Sequence, residues 1–270
     1  MSDIIGFIGG GRMAEALIQG IIKAGMFGPE RIVAADPDAS RRQALTGQYG
    51  IKTYAQATDF IGGCMTLILA VKPQVMGPVL DSIKAAIHAG HLLISIAAGI
   101  PLTFMEERLS GCQCRLVRVM PNTPALVQEG ASALSPGRLA TNEDMDKARA
   151  IFDAVGRTVI LAENYLDAVT GLSGSGPAYV FSFIEALIDG GVKVGLNRAD
   201  AQLLVLQTVL GSVKLAMESN EHPAQLRAMV TSPGGTTIAG LHELARAGFS
   251  GIVMDAVEAG TRRSKELGQG

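Results

Sequence analysis

The chain of 270 residues has no tryptophan, and aromatic residues make up only 4% of it. Basic residues are not in excess either, since 23 Lys and Arg stand against 25 Asp and Glu, for a formal net charge of -2. Proteins that bind nucleic acids offer cationic surfaces and aromatic platforms for stacking bases. This composition therefore disfavours nucleic acid as a partner.

Long hydrophobic runs and cysteines are also scarce. No segment has the length of uncharged apolar sequence that spans a bilayer, and the N-terminal stretch MSDIIGFIGGG lacks the basic start of a secretory signal. Cys64, Cys112 and Cys114 cannot all pair, and the last two are too close for an ordinary disulfide. One C-x-C and four histidines scattered along the chain do not supply the clustered ligand set that zinc needs. We expect reduced thiols, no metal site, no membrane contact and a cytoplasmic location.

Hydrophobic residues reach 48%, and their spacing changes once along the chain. Up to about residue 161, short apolar runs alternate with helical patterns, which is typical of βαβ units in a doubly wound, mostly parallel sheet. The predicted strands are 4–8, 32–35, 66–70, 92–95, 115–119, 131–134 and 158–161, and the predicted helices between them are 13–24, 39–49, 75–89, 103–109 and 143–152. Only helices are predicted beyond that point, at 165–172, 177–190, 198–219, 223–230, 237–246 and 252–267. We predict an α/β domain over 1–162 and an all-α domain over 163–270.

One predicted helix is apolar on nearly every face. Within residues 203–217, LLVLQTVLGSVKLAM, Lys214 is the only charged residue. A helix of this kind must be buried all round, and a helical domain of this size can hardly enclose it alone. The pattern favours a homo-oligomer in which this helix packs against a partner subunit. The alternative is the central helix of a monomeric bundle.

Glycines cluster where the first predicted strand meets the first predicted helix. Gly9, Gly11 and Ala14 fit G-x-G-x-x-A within GFIGGGRMA. In such a turn the first glycine permits the tight bend, the second lets a diphosphate approach the backbone, and the small third residue keeps helix and strand close. The helix N-terminus adds free N–H groups and a partial positive charge. The first domain is therefore predicted to be a Rossmann domain that binds a dinucleotide.

Further strand ends carry residues suited to ligands, which in such sheets lie beyond the carboxyl ends of the strands. Asp36 can hold ribose hydroxyls and repel the extra phosphate of NADP, whereas Arg41 and Arg42 can bind that phosphate, so charge alone leaves the cofactor open. Lys72 either faces a phosphate, ribose or substrate, or is a solvated lysine at a helix start. Asn122, between two prolines, either bonds a nicotinamide amide or stiffens a turn.

Two glycine-rich motifs interrupt the helical half. GLSGSGPAY, residues 171–179, is not the G-x-S-x-G of a hydrolase elbow, and its glycines either let the backbone approach a flat group or allow tight packing of helices. TSPGGTT, residues 231–237, places two glycines before a helix start, so that N–H groups can turn towards an anion. We expect Thr236 or Thr237 to cap that helix while the other hydroxyl faces the ligand. The motif predicts a cradle for a small carboxylate; the alternative is a capped helix start without a ligand.

Together these segments resemble the pyrroline-5-carboxylate reductases. The family's pattern is matched in order, over essentially the whole chain, by GFIGGGRMAEAL, LAVKPQ, SIAAGI, VRVMPNTPALV, AVTGLSGSGPAYVF and TSPGGTTIAGLHEL. The resemblance implies a Rossmann domain, a helical dimerisation domain, and the last step of proline biosynthesis. In that step hydride from NAD(P)H reduces the ring C=N of 1-pyrroline-5-carboxylate to give L-proline. The resemblance also implies NADPH as cofactor, with NADH possible, and a homodimer or a higher oligomer of dimers.

The same resemblance implies a set of site residues. Substrate contacts are expected at Glu163, Gly234, Gly235, Thr236 and Thr237, with Thr237 as the catalytic hydroxyl near the ring nitrogen. Cofactor contacts are expected at Ile8, Gly9, Gly10, Gly11, Arg12, Met13, Asp36, Ala70, Val71, Lys72, Pro73, Ala97, Ala98 and Asn122. Three positions depart from the family's pattern. Asp36 replaces a small hydroxyl residue or Asn beside the 2′-phosphate, Gln56-Ala57 lacks an Asn near the adenosine, and Met229 stands where some members have Asn.

Two other functions fit the same scaffold. A β-hydroxyacid dehydrogenase has a similar helical second domain, but it uses a lysine on the helix after a glycine-rich loop. Here no lysine follows SGSGP until Lys193. A non-catalytic protein that senses NADPH is the second alternative, and it leaves the TSPGGTT cradle unexplained.

Overall fold

The computed structural model describes residues 4–268. Within them the chain forms two compact units: an α/β unit of residues 4–175 and 258–268, and a helical unit, Gly176–Val257. The sequence places the domain boundary at residues 162 and 163, and that boundary stays a prediction.

One sheet carries the α/β unit. Its strands within the described residues are β1 (Ile5–Ile8), β2 (Ile32–Ala35), β3 (Lys52–Tyr54), β4 (Thr66–Leu69), β5 (Leu92–Ser95), β6 (Arg115–Met120), β7 (Gly130–Pro136) and β8 (Gly156–Ile160). Their order is β3-β2-β1-β4-β5-β6-β7-β8, with β1 to β6 parallel, β7 antiparallel to β6, and β8 parallel to β7. The predicted doubly wound, mostly parallel sheet is confirmed. The order reverses between β1 and β4, where such sheets form a ligand-binding crevice.

Helices cover both faces of this sheet. They are α1 (Arg12–Lys23), α2 (Ala39–Tyr49), α3 (Met76–Ile83), α4 (Leu102–Arg108), α5 (Asn142–Asp153) and α6 (Leu166–Val169). Phe7 of β1 belongs to one apolar core with Leu17 of α1 and Phe152 of α5. Its neighbour Ile8 belongs to the other core, with Leu80 of α3. Successive side chains of a strand point to opposite faces, so an unbroken apolar run such as β1 serves both cores.

Three parts of the unit differ from the sequence prediction. β3 is missing from the predicted strands because it is a short, polar edge strand without an apolar run. The predicted helix 75–89 is shorter, since α3 ends at Ile83 and 3₁₀ turns flank it at Pro73–Val75 and Lys84–Ala86. The predicted helix 165–172 is α6 followed by one π-helical turn, Thr170–Gly174, which overlaps the start of the GLSGSGPAY motif.

The helical unit consists of α7 (Gly176–Lys193), α8 (Arg198–Ser219), α9 (Pro223–Met229), α10 (Thr236–Arg246) and the first part of α11 (Phe249–Gly268). All of them match predicted helices to within a few residues. Many apolar side chains of α8 are exposed in the single chain, among them Leu203, Leu206 and Leu210. α8 is therefore not the enclosed centre of a bundle formed by one chain. None of the helices between residues 4 and 268 is both long and apolar enough to cross a membrane.

Candidate active site

A cleft of about 770 Å³ lies at the carboxyl ends of β1, β2 and β4, where the strand order reverses. Apolar side chains such as Val75 and Val79 line it beside charged ones such as Arg41. The predicted cofactor residues that line it are Ile8, Gly9, Gly11, Asp36, Ala70, Val71 and Lys72. Its size and position suit a dinucleotide.

The glycine loop between β1 and α1 has the geometry of a diphosphate cradle. Gly9 has φ +101°, a left-handed conformation that only glycine adopts freely, and a Cβ there would lie 2.5 Å from the carbonyl oxygen of Ala70. Gly11 is the N-cap of α1, and apart from its chain neighbours and the backbone of α1 no described atom lies within 4 Å of where its Cβ would be. Arg12 and Met13 begin α1, so their N–H groups have no partner within the helix. The loop therefore leaves open space beside a helix N-terminus, and this arrangement fits an anionic diphosphate.

Asp36 follows β2 and reaches back to this loop. Its Oδ2 accepts the N–H of Gly10 at 2.8 Å, and its Oδ1 accepts the N–H of Asp38 at 2.9 Å. The two arginines beside it also bond to the backbone: Arg41 to the carbonyl of Gly10, and Arg42 to the carbonyls of Asp36 and Pro37. The carboxylate predicted to face the ribose is thus fixed in place by main-chain donors.

The remaining predicted cofactor residues lie at the ends of β4, β5 and β6. Lys72, which lines the cleft, is exposed and stands directly before the 3₁₀ turn that begins at Pro73. Ala97 and Ala98 follow β5, the first buried and the second half-buried. These two alanines and Asn122 do not line the cleft described above.

Asn122, after β6, uses its amide group within the protein. Its Oδ1 accepts the N–H of Ala131 at 2.8 Å, and its Nδ2 donates to the carbonyl of Ser173 at 3.0 Å. Ser173 belongs to the π-helical turn, and a Cβ added to Gly174 would lie 2.6 Å from Cε of Met120. Turns of this type often occur at functional sites. Asn122 therefore fixes the position of the π-helical turn, a role that the two prolines beside it do not reveal.

Glu163 forms a partly buried ion pair. Its Oε1 accepts the N–H of Leu102 at the start of α4 at 2.7 Å, and Arg118 donates to the same oxygen at 2.9 Å. The side chain of Arg118 is only 7% exposed, against 27% for that of Glu163. Sequence reasoning missed Arg118, although a charged residue inside the apolar run of a central strand is the kind of signal that marks a buried partner.

The TSPGGTT segment forms a glycine turn before α10. Gly234 has φ +66°, and the N–H of Gly235 donates to the carbonyl of Ser232 at 3.1 Å. The expected threonine cap is wrong: Gly235 is the N-cap without a side-chain bond, and Thr236 is the first helical residue. Both threonines remain accessible to a ligand, because Thr236 is exposed and Thr237 is half-buried. The first-turn N–H groups of α10 have no partner within the helix, so the turn keeps the donors that the predicted anion cradle requires, and the cradle itself stays a prediction.

Two family models match the chain. The model for pyrroline-5-carboxylate reductase dimerisation matches residues 163–267, and the model for NADP oxidoreductase, coenzyme F420-dependent, matches residues 4–99. Relatives named pyrroline-5-carboxylate reductase are 49% identical in Methanosarcina acetivorans, over 98% of each chain, and 46% identical in Synechocystis sp., over the full length of both.

A solved structure from the same family is also similar to this chain. Pyrroline carboxylate reductase from Plasmodium falciparum, with NADP bound, has a TM-score of 0.90 at 36% identity and covers 99% of this chain and 98% of its own. A nucleotide cleft on a Rossmann sheet, followed by a helical region, defines the class as a dinucleotide-dependent oxidoreductase. The chain belongs to the pyrroline-5-carboxylate reductase family.

Proposed function

We propose that this protein reduces 1-pyrroline-5-carboxylate to L-proline, the last step of proline biosynthesis. The observation that carries the proposal is the similarity, at 40–49% identity over nearly the whole chain, to relatives named pyrroline-5-carboxylate reductase. The cleft at β1, β2 and β4 and the anion cradle at α10 support it, because the reaction needs a dinucleotide and a small carboxylate.

NADPH is the proposed cofactor, with NADH as a competitor. The cofactor supplies the hydride when it is bound. The chain holds the diphosphate at Gly11, Arg12 and Met13, where the loop is open and N–H groups are free. Ala70, Val71 and Lys72 flank it at the end of β4. Asp36 supports use of NADH because its fixed carboxylate suits a ribose hydroxyl better than a 2′-phosphate.

The substrate's carboxylate is proposed to bind the turn at Gly234–Thr237. The first-turn N–H groups of α10 stabilise negative charge without a cationic side chain. Thr237 lies in that turn, and its hydroxyl is assigned to the ring nitrogen. The proton that this nitrogen gains either enters with the substrate in its iminium form or is relayed from solvent through the hydroxyl. Glu163 is proposed to lie near the substrate, with Oε1 fixed by Leu102 and Arg118 and Oε2 left for a polar group.

The protein is proposed to act as a homodimer or a higher oligomer of dimers in the cytoplasm. The exposed apolar surface of α8 and the dimerisation model over residues 163–267 support assembly. The cysteines are thiols rather than disulfides, which agrees with a reducing compartment.

The loss of NADPH or NADH absorbance in the presence of pyrroline-5-carboxylate tests the proposal. We expect turnover with at least NADPH and formation of proline in equal amount. A β-hydroxyacid as the only substrate would favour the dehydrogenase alternative. Cofactor binding without turnover of any cyclic imine would favour a non-catalytic sensor.

A further inference from the structure

The peptide group of Gly10 is held from both sides. Its N–H donates to Asp36, and its carbonyl oxygen accepts from Arg41 Nε at 2.8 Å and from Arg41 Nη2 at 2.5 Å. The N–H of Gly10 is therefore not available to a ligand. The donors left for a diphosphate are the N–H groups of Gly11 and of the first turn of α1, which directly follow this peptide.

Arg41 makes this contact with Nε and Nη2, two neighbouring nitrogens that could otherwise bind a phosphate together. A guanidinium binds a phosphate most strongly through two parallel N–H bonds from neighbouring nitrogens. In Arg41, Nε and Nη2 converge on the Gly10 carbonyl, and Nη2 also donates to Glu15 Oε2 at 3.0 Å. Both hydrogens of Nη2 are thereby used, so Nη1 alone cannot form a bidentate pair with a phosphate.

The surroundings hold Arg41 in this position. Glu15 lies in the first turn of α1, and its side chain is 17% exposed. Tyr49, at the end of α2, directs its hydroxyl to Glu15 Oε1 at 3.4 Å. Burial and the charge of Glu15 raise the pKa of Tyr49, so this hydroxyl stays a donor at neutral pH. The ion pair between Arg41 and Glu15 links α2 to α1 and to the glycine loop.

We propose that Arg41 is a positioning residue for the diphosphate loop, and that it serves NADH and NADPH equally instead of recognising the 2′-phosphate. The inference rests on the dinucleotide binding of the proposed function. Arg41 acts through Gly10: it fixes the carbonyl of that peptide and thereby the direction of the N–H groups that follow. This leaves Asp36, which faces the same cleft, as the residue that discriminates between the two cofactors.

Equilibrium binding of NADH and NADPH to the full-length protein, without substrate, tests this role. Nicotinamide fluorescence reports binding, and the absence of tryptophan removes the main competing emission. We expect R41A and R41K each to weaken both cofactors about tenfold or more, because each variant loses the paired contact with the Gly10 carbonyl. The ratio of the two Kd values should stay within about threefold of the wild-type ratio.

R42A is the matched control. It removes the same charge from the next residue, but within the described part of the chain Arg42 donates to the carbonyls of Asp36 and Pro37, which lie outside the glycine loop. We expect R42A to weaken NADH binding less than R41A does. R41K keeps the charge and provides a folded variant if R41A does not fold.

Two outcomes would overturn the role of Arg41. Selective loss of NADPH in R41A, with NADPH binding retained by R41K, would assign the 2′-phosphate to Arg41. Unchanged binding of both cofactors in R41A and R41K would show that the contact with Gly10 has no effect on the loop. Wild-type protein that binds both cofactors but reduces no imine would overturn the proposed reaction instead, and the Arg41 result would stand by itself.

Discussion

At the scale of single residues, Asp36 has a structural role, and we propose a selective role for it as well. Its two oxygens accept N–H groups from Gly10 and Asp38, which fixes the carboxylate at the edge of the nucleotide cleft. A carboxylate held there still has lone pairs for a ribose hydroxyl, and it repels a phosphate at the same position. We therefore expect this one side chain to support the loop for either cofactor and to disfavour NADPH.

Asp36→Ser should shift the cofactor preference towards NADPH. Removal of the negative charge should raise the NADPH/NADH ratio of kcat/KM by about tenfold, since close like charges cost on the order of 1–2 kcal/mol at a partly solvated site. The ratio is the quantity to measure, because loss of a partner for Gly10 weakens both cofactors. Asp38→Ser removes a neighbouring charge in the same cleft and should change the ratio less. An unmoved ratio in Asp36→Ser would mean that Asp36 does not face the 2′ position.

Thr237→Val should impair the reaction without affecting cofactor binding. Valine keeps the volume and removes only the hydroxyl, and a hydrogen bond to a charged group contributes about 1.5–3 kcal/mol. We therefore expect kcat/KM for the imine to fall roughly 10- to 150-fold. A loss confined to KM would assign the hydroxyl to binding, whereas a matched fall in kcat would assign it to the transition state. Unchanged kinetics in the folded variant would leave Thr237 without a role in the reaction.

His91 should make the α/β unit less stable in mild acid. The ring is buried, accepts the N–H of His88 at 3.1 Å and lies 3.3 Å from the carbonyl of Ile61. Burial lowers the pKa of His91, and the charges of His88 and Arg115 act in the same direction. The unfolded chain then takes up the proton first, so stability is full above about pH 6.5 and is lost as pH falls towards the folded pKa.

Thermal unfolding across this pH range measures the effect. We expect the Tm of the wild type to fall on acidification, and His91→Gln to lower Tm at neutral pH but flatten its pH dependence. His88→Gln removes an exposed ring from the same turn and should leave most of the dependence in place. If the Tm of His91→Gln fell with pH as steeply as that of the wild type, groups other than His91 would be responsible for the pH dependence.

At the scale of elements, the regular strands and helices could be predicted from the sequence, whereas the short edge strand β3 and the π-helical turn could not. The unbroken apolar runs of β1, β2, β4 and β5 and the matching bounds of α8 follow directly from periodicity. β3 has three polar residues, and its pairing with β2 depends on the rest of the sheet. The π-helical turn at Thr170–Gly174 depends on tertiary contacts with Asn122 and Met120. The same holds for the site. The glycine loop could be predicted from its local sequence, whereas the ion pair of Arg118 with Glu163 joins two residues that are far apart in the sequence and meet only in the folded chain.

The turn before α10 gives a prediction about an element. Gly234 has φ +66°, so Gly234→Ala puts a side chain in a left-handed conformation that costs about 1–2 kcal/mol. We expect a lower Tm and a raised KM for the imine, because the first-turn N–H groups lose their orientation. Gly240→Ala is the matched control, since Gly240 lies inside α10 and an added Cβ meets no described atom within 4 Å. Equal KM values in both variants would contradict a role of this turn in binding.

At the scale of the whole molecule, exposed apolar surface is unevenly distributed. In the α/β unit the strands and helices bury most of their large apolar side chains in the two cores. In the helical unit, large apolar side chains stay exposed along α7, α8 and α11, among them Phe181, Leu204 and Met254. An apolar surface of this extent on one unit is typical of an interface between subunits.

Leu206→Glu should therefore disrupt assembly. Leu206 lies in the middle of α8 and is 46% exposed in the single chain, so an interface there would bury the new charge without a partner. We expect dissociated or insoluble protein, measured by light scattering and by soluble yield. Gln202→Glu adds the same charge near the start of α8, where the helix dipole favours it, and should assemble like the wild type. A wild-type mass near the 28.1 kDa of one chain at micromolar concentration would contradict the oligomer, and the exposed face of α8 would then need another partner.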